Sequence, residues 1–352
     1  MKRWIPMLLL VASPGLAQDT AKGLTAVEGL KVGHHTIAEK PTGCTVVLTG
    51  KDGATAAVDV RGGAPGTRET DLLDPTRRIQ IAHAIVLSGG SAYGLDTAGG
   101  VMRYLEERGI GVAVGGGVVP IVPAAILFDL PMGGQFSLRP DAACGYAAAS
   151  AASDGPVPEG NVGAGAGATV GKTGGRGRAM KSGLGSAAIA LPDGLVVAAM
   201  VAVNAVGDII DPATGQVVAG VRTEDGTGLA DARKLLRSGQ AWRRRPAPQT
   251  RENTTIGVVA TNASLTQAEA KKVAEMAHDG YGRAIEPVHT LSDGDVIFSL
   301  ATGRWDGEAD ASLVGALAAQ AMAEAIVRAA TQAESLPGLP AARDLGEGAA
   351  PR

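Results

Sequence analysis

Aromatic side chains are nearly missing from this chain. Phe, Trp and Tyr together make up 3% of its 352 residues and charged residues 19%, whereas 45% are hydrophobic and 51 are glycine. A core with so few rings has to be assembled from Ala, Val, Leu and Ile, with backbones packed closely at glycines. Charge is sparse as well, and a formal net charge of −3 gives no electrostatic case for nucleic acid. The short run Arg243-Arg244-Arg245 reads as a solvated loop, not a phosphate site. Five histidines occur, His34, His35, His83, His278 and His289. None shows H-E-x-x-H spacing and no Cys/His cluster suggests zinc; His34-His35 could bind a metal only with distant partners, and ordinary surface or core histidines are the favoured reading. Cys44 and Cys144 are the two cysteines. An oxidising compartment would let them pair, but two separate buried thiols is the reading the sequence favours, and neither sits in a nucleophile motif.

Other signatures are also absent. No G-x-S-x-G elbow appears; in Gly89-Gly90-Ser91-Ala92-Tyr93-Gly94, Ser91 reads as a helix N-cap. The stretch Gly163 to Thr173 ends in Gly171-Lys172-Thr173 but has Ala166 where a phosphate loop needs glycine, and no spacing gives G-x-G-x-x-G. It reads as a glycine-rich segment lining an active-site mouth. Past the N-terminus no apolar run reaches membrane-spanning length, and Leu195 to Val206 reads as a buried strand. The N-terminus itself has the form of a secretory signal. Lys2 and Arg3 precede the apolar Trp4 to Ala12, and Gly15-Leu16-Ala17 is a small-x-small cleavage site. Residues 1–17 are expected to be removed after Ala17, leaving an exported, periplasmic protein with no membrane partner.

What the chain does contain is a sharp junction. An Arg- and Pro-rich segment, Trp242 to Pro248, leads into Arg251-Glu252-Asn253-Thr254-Thr255 and at once into the β-branched run Ile256-Gly257-Val258-Val259-Ala260-Thr261. Cutting before Thr254 would place a free α-amine and a hydroxyl on one residue, a base beside a nucleophile with no histidine needed. That amine would titrate near pH 7.7–8.0, whereas a lysine near 10.4 would need a large shift for the same task. The bland alternative is a loop that enters a strand at threonine.

Elsewhere strands and helices alternate. Ile81 to Leu87 and Ile110 to Val114 read as strands around a helix from Ser91 to about Arg108. Ala187 to Leu191 and Leu195 to Asn204 flank the turn Pro192-Asp193-Gly194. Thr266 and Glu269 form a capping box for a helix that Gly280 is expected to stop. Another helix fits Asp310 to Ala330, with Leu313, Val314 and Leu317 on its apolar side. From about Ser335 the composition predicts a disordered tail, 336–352. The pattern gives α and β in one domain, residues 18–335.

Several ordered segments carry a family resemblance. They are Gly89-Gly90-Ser91-Ala92-Tyr93-Gly94-Leu95-Asp96, Val119-Pro120-Ile121-Val122-Pro123, Phe128-Asp129-Leu130, Ser182-Gly183-Leu184-Gly185-Ser186, Val203-Asn204-Ala205-Val206-Gly207-Asp208, and Pro287-Val288-His289-Thr290-Leu291-Ser292-Asp293-Gly294-Asp295. In this order the chain resembles the DmpA-type aminopeptidases, also called the β-peptidyl aminopeptidase family. The resemblance implies an αββα sandwich of the type shared with ornithine acetyltransferase. It implies self-cleavage between Asn253 and Thr254 into an α chain 18–253 and a β chain 254–352, held together, and a homotetramer of αβ units. Thr254 would be nucleophile, its α-amine the base, and Asn204 the oxyanion donor. Tyr146, in Cys144-Gly145-Tyr146-Ala147, resembles a family active-site tyrosine. Asp293 and Asp295 stand where β-peptide-cleaving members carry Ser-x-Glu, and would orient the Thr254 amine; an Asp-Gly turn before a strand is the alternative for Asp293. The implied reaction releases N-terminal residues from short peptides, amides or esters without a cofactor. Acyl transfer of the ornithine acetyltransferase type, and a non-catalytic binding protein on the same scaffold, are the competing readings. Preference for L-, D- or β-residues is not legible.

Overall fold

Successive residues of a strand point to opposite faces of its sheet, so a strand apolar throughout needs a cover on both sides. The computed structural model, which describes residues 20–239 and 253–345, supplies both. The strands of its two large sheets are, in chain order, β1 (Lys31–Thr36), β2 (Gly43–Leu48), β3 (Ala54–Val60), β4 (Thr67–Arg68), β5 (Ile81–Ala82), β6 (Ala84–Ser88), β7 (Ala124–Ile126), β8 (Leu184–Ala190), β9 (Val196–Asn204), β10 (Thr254–Thr261) and β11 (Val296–Ala301). The first sheet runs β1-β2-β6-β7-β4 and the second β8-β9-β10-β11-β3-β5. Helices α1 (Thr97–Glu106) and α2 (Ala142–Ser150) pack outside the first, and α3 (Gln267–Ala284) and α4 (Ala311–Thr331) outside the second. The order of layers is α, β, β, α.

The alternation within single strands builds the layers. In β9, Val196, Ala198, Met200 and Ala202 face the first sheet, while Val197, Ala199, Val201 and Val203 face α3 and α4. In β6, Ile85 and Leu87 point between the sheets and Ala84 and Val86 point to α1 and α2. These small aliphatic side chains let both sheets lie close, and removing them from water supplies the main driving force of the fold.

Several local expectations are corrected. Ser91 is not a helix cap: it has φ 54 and opens a 3-10 turn, Ser91–Asp96, that runs into α1. Gly280 does not end α3, which continues to Ala284. A Cβ there would come 2.5 Å from the Ala319 carbonyl and 2.8 Å from Met322 Cβ on α4, so the glycine serves close helix–helix approach. The capping box is present, with Thr266 Oγ1 accepting from Glu269 N and the Glu269 carboxylate accepting from Thr266 N. On α4, Val314 is buried but Leu313 is 42% exposed. This helix is long and apolar enough to cross a membrane by length and composition, and 61% of its apolar window lies inside the fold, where its Ala-rich face meets α3.

Two larger corrections concern the cysteines and the tail. Cys44 on β2 and Cys144 on α2 form a disulfide, with Cα atoms 6.3 Å apart. Sequence spacing of 100 residues could not show that α2 packs directly over β2. Residues 336–345 of the tail are ordered. Leu336 and Leu339 pair across a turn, the Pro340 carbonyl accepts from Lys181 N at 2.9 Å, and Ala341 is fully buried. Its Pro- and Gly-rich composition marks a tight turn (Gly338 has φ 75) rather than disorder. The signal segment, the Arg243-Arg244-Arg245 run and the last residues lie outside the described residues.

Candidate active site

The junction at Thr254 is held on both sides by a second stretch of chain. β10 and β11 run parallel with Ile256 opposite Val296, and a bridge between Asn253 and Asp293 keeps the same offset beyond the strand end. Thr254 therefore lies alongside Gly294. Gly294 N donates to the Asn253 carbonyl at 3.0 Å, and Thr254 Oγ1 makes a close hydrogen bond to the same carbonyl. On the other side, Thr255 N donates to Asp295 Oδ1 at 2.8 Å, so a carboxylate continues the ladder. Glycine is required at 294 because a Cβ would come 2.8 Å from Thr254 Oγ1 and 2.7 Å from the Ala64 carbonyl.

On the other neighbouring strand, β9, Asn204 is the register partner of Thr254. Both continue the series of residues that face between the sheets, so their side chains share one face. The orientation of the Asn204 amide is fixed by its partners. Thr169 N at 3.1 Å and Lys172 Nζ at 2.7 Å both reach its Oδ1, and each can only donate. Nδ2 must point the other way, and it donates to the Phe128 carbonyl at 3.1 Å. Lys172 Nζ also holds the Asn204 carbonyl at 2.9 Å.

Asp293 and Asp295 are both 1% exposed. Asp293 Oδ2 accepts from Thr290 N and Oγ1 at 2.9 and 2.6 Å, and Asp295 Oδ2 from His289 N and Nδ1 at 3.1 and 2.8 Å. Burial, and then the neighbouring Asp295 charge, push Asp293 up to about 6. The folded chain thus holds this proton more tightly than the unfolded chain, whose aspartates titrate near 4. The contribution is full below pH ~4 and is lost as pH rises through about 6. Asp293→Asn keeps an acceptor for Thr290 and does not titrate. It is expected to gain on the order of 2–3 kcal/mol relative to wild type between pH 4 and 7, measured by urea unfolding at both pH values; parallel pH dependence in the two proteins would contradict this.

Of the expected site residues, the structure brings together Asn253, Thr254, Asn204, Asp293 and Asp295. Tyr146 is not with them. It lies on α2 outside the first sheet, with its hydroxyl on Glu107 at 2.7 Å and its ring against Tyr104 and Arg103. Its face of the fold is separated from the inter-sheet layer by a whole sheet. Sequence reasoning missed Lys172, Thr169 and Phe128, which fix Asn204. Lys172 was visible only as the end of a failed phosphate loop, and Phe128 only as part of an ordered family segment.

A cavity of about 140 Å³ adjoins these residues, walled by Phe128, Met132, Thr169, Lys172, Arg176 and Leu339. The turn of the ordered tail thus forms part of its wall. Neither this cavity nor a larger one of about 270 Å³, lined by Glu159, Ser186 and Arg328 among others, has Thr254 in its wall, but the smaller is walled by the three residues that hold Asn204 and is the candidate substrate pocket. Among the described residues no group of His, Cys, Asp and Glu could hold a metal ion.

The chain is similar to known proteins over nearly its whole length. The model of peptidase family S58 matches residues 22–343. An uncharacterized aminopeptidase of Mycobacterium tuberculosis is 42% identical, covering 93% of this chain and 98% of that protein. A 6-aminohexanoate-oligomer endohydrolase of a Kocuria species is 32% identical, covering 86% of this chain and 84% of that one. Among solved structures, the L-aminopeptidase D-Ala-esterase/amidase of Ochrobactrum anthropi, described as a variant of the Ntn hydrolase fold, superposes with a TM-score of 0.66 at 19% identity, over 94% of this chain and 93% of that one. A β-aminopeptidase of a Burkholderia species gives 0.60 at 23% identity, over 88% and 86%. At such identities the two structures establish the fold, an α/β sandwich of the Ntn-hydrolase kind.

Proposed function

The chain belongs to peptidase family S58, and from that premise we propose that it is a self-processing aminopeptidase with Thr254 as its nucleophile. The observation that carries this reading is the Asn253 carbonyl, which receives both the Thr254 hydroxyl and the Gly294 amide. In self-cleavage, a bond forms from Thr254 Oγ to the Asn253 carbonyl carbon, with Gly294 N–H donating to the oxygen that becomes negative. The Asn253–Thr254 C–N bond then breaks, and the hydroxyl proton passes to the departing nitrogen. Water hydrolyses the resulting ester, giving an Asn253 carboxylate and a Thr254 with free amine and free hydroxyl.

In the mature enzyme the α-amine, near pH 7.7–8.0, takes the Oγ proton as Thr254 attacks a substrate carbonyl. Asn204 Nδ2 serves as oxyanion donor, its amide held by Thr169 and Lys172. The acyl-enzyme releases the N-terminal residue to water. Chains 18–253 and 254–352 stay associated because β10 lies between β9 and β11 in the middle of the second sheet. Export belongs to the same proposal and is supported by the disulfide, as does assembly into a homotetramer of αβ units. The substrates are short peptides, amides or esters, with no cofactor, nucleic acid or membrane involved.

A second reading has a specific observation behind it. The Kocuria relative is named an endohydrolase of 6-aminohexanoate oligomers, so cleavage of internal amides in an ω-amino acid oligomer is the alternative substrate mode. One product assay separates the readings. Processed enzyme is incubated with peptide amides bearing L-, D- or β-residues at the N-terminus, and with a 6-aminohexanoate oligomer, each with and without ornithine. Free N-terminal residues are expected. Internal fragments of the oligomer would favour the endohydrolase, acyl-ornithine would favour the transferase, and an uncut, inactive chain would favour a binding protein.

A further inference from the structure

His289 reaches the junction from the side of the sheet opposite to the Thr254 hydroxyl. Its Nδ1 donates to Asp295 Oδ2 at 2.8 Å, and the other oxygen of that carboxylate accepts from Thr255 N at 2.8 Å. The ring is stacked on Tyr281 at 5.8 Å between centroids and meets His278 edge to face at 4.8 Å. Tyr281 is tied to the Val296 carbonyl at 3.2 Å, and His278 Nε2 to the Asp59 carbonyl at 3.2 Å. Burial pushes His278 down to about 4, so at neutral pH it packs as an uncharged ring. His289 also has φ 55, a left-handed backbone that a β-carbon-bearing residue adopts at a cost unless its side chain is held. The fold therefore commits a strained residue and two rings of α3 to the placement of one carboxylate.

We infer that His289 is a positioning residue, which fixes the Asp295 carboxylate so that it in turn fixes the peptide between Thr254 and Thr255. The inference rests on the reading of Thr254 as nucleophile. Once the Asn253–Thr254 bond is cut, Thr254 is a chain end, and the contact it lost was the covalent one. Its remaining backbone anchor on the β11 side is the Thr255 N–H bond to Asp295. A carboxylate free to rotate would let the amine and hydroxyl drift from the reacting geometry, and a misplacement of about 1 Å costs roughly 100-fold. His289 touches neither nucleophile nor scissile carbonyl and acts through Asp295.

The test compares His289→Gly and His289→Asn. Both tolerate the left-handed backbone, and both keep the bond from residue 289 N to Asp295. Only asparagine offers a side-chain N–H where Nδ1 was. His289→Gly is expected to slow self-cleavage and to lower kcat by roughly 10- to 100-fold, with KM within about threefold of wild type, and His289→Asn to restore most of both rates. In an Asp295→Ala background, His289→Gly is expected to change either rate by less than about twofold, because its target is gone. The inference is overturned if His289→Gly keeps wild-type rates, if His289→Asn is as slow as the glycine variant, or if His289→Gly slows Asp295→Ala by its full factor. If the glycine variant does not fold, His289→Asn decides alone: wild-type rates support the inference and a loss like that of Asp295→Ala overturns it. Wild-type cutting at Asn253–Thr254 is the shared control. Its absence sinks the Thr254 reading, whereas normal cutting with an unaffected His289→Gly sinks only this one.

Discussion

Thr254→Ala is expected to appear in intact mass spectrometry as one uncut chain, where wild type gives two fragments, the smaller beginning at Thr254. Alanine removes the hydroxyl and leaves the Asn253 carbonyl with its Gly294 donor, so electrophile and backbone oxyanion contact remain while the attacking atom is gone. Loss of a nucleophile costs about 10⁴-fold or more in enzymes that depend on one, which is indistinguishable from no cleavage on a laboratory timescale. The fold should survive: Thr254 pairs through backbone with β9, and its β11 side is held by the Gly294 amide and the Asp295 carboxylate. None of these contacts uses its side chain, and only one buried hydroxyl is deleted. Thr254→Ser keeps the oxygen and is expected to cut. The same alanine variant should release nothing from any amide in the substrate panel. A wild-type protein that stays whole under folding conditions, or an alanine variant that still cuts at residue 254, would end the proposal.

The residues that meet at Thr254 carry signals legible in the sequence, and the reason lies in local chemistry. A polar junction meeting a β-branched run at threonine, and an Asp-Gly-Asp before an apolar strand, are signals carried by a few adjacent residues. Their meeting required the parallel pairing of β10 with β11, which places position n beside position n+40, and no local pattern encodes that. The disulfide failed for the same reason, because Cys44 and Cys144 meet only through packing of a helix on a sheet. Tyr146 failed differently. Its motif looked right, but its place on α2 points it to solvent-side partners. Lys172 was hidden because its partner, the Asn204 amide, stands 32 residues away on a strand whose register cannot be fixed from alternation when both faces are apolar. Composition misjudged the tail, since a Pro-Gly turn and a flexible linker use the same residues.

Asn204→Ala is expected to lower kcat by about 10²–10³-fold, the usual effect of removing one oxyanion donor, with KM little changed. The argument turns on the direction of the amide. Thr169 N and Lys172 Nζ hold Oδ1, so Nδ2 is the donor end of the amide, held in place on the Phe128 carbonyl, and Asn204 stands directly opposite Thr254 in the sheet. Its donor is preorganised by groups that need not move when charge develops. The ammonium of Lys172 draws electron density from the amide and strengthens Nδ2 as a donor in a site shielded from water. Asn204→Asp distinguishes this from a loss of packing. It keeps the shape and gains an ion pair with Lys172, yet loses the bond to the Phe128 carbonyl and has no N–H to offer a negatively charged oxygen. The aspartate variant is therefore expected to be as slow as alanine or slower, while melting no lower than the alanine variant, because the ion pair with Lys172 offsets the lost Phe128 bond. Kinetics on a peptide amide, with a melting curve for each variant, decide the matter: an aspartate variant retaining most of kcat would remove Asn204 from the oxyanion role and leave it a purely structural link between Phe128 and Lys172.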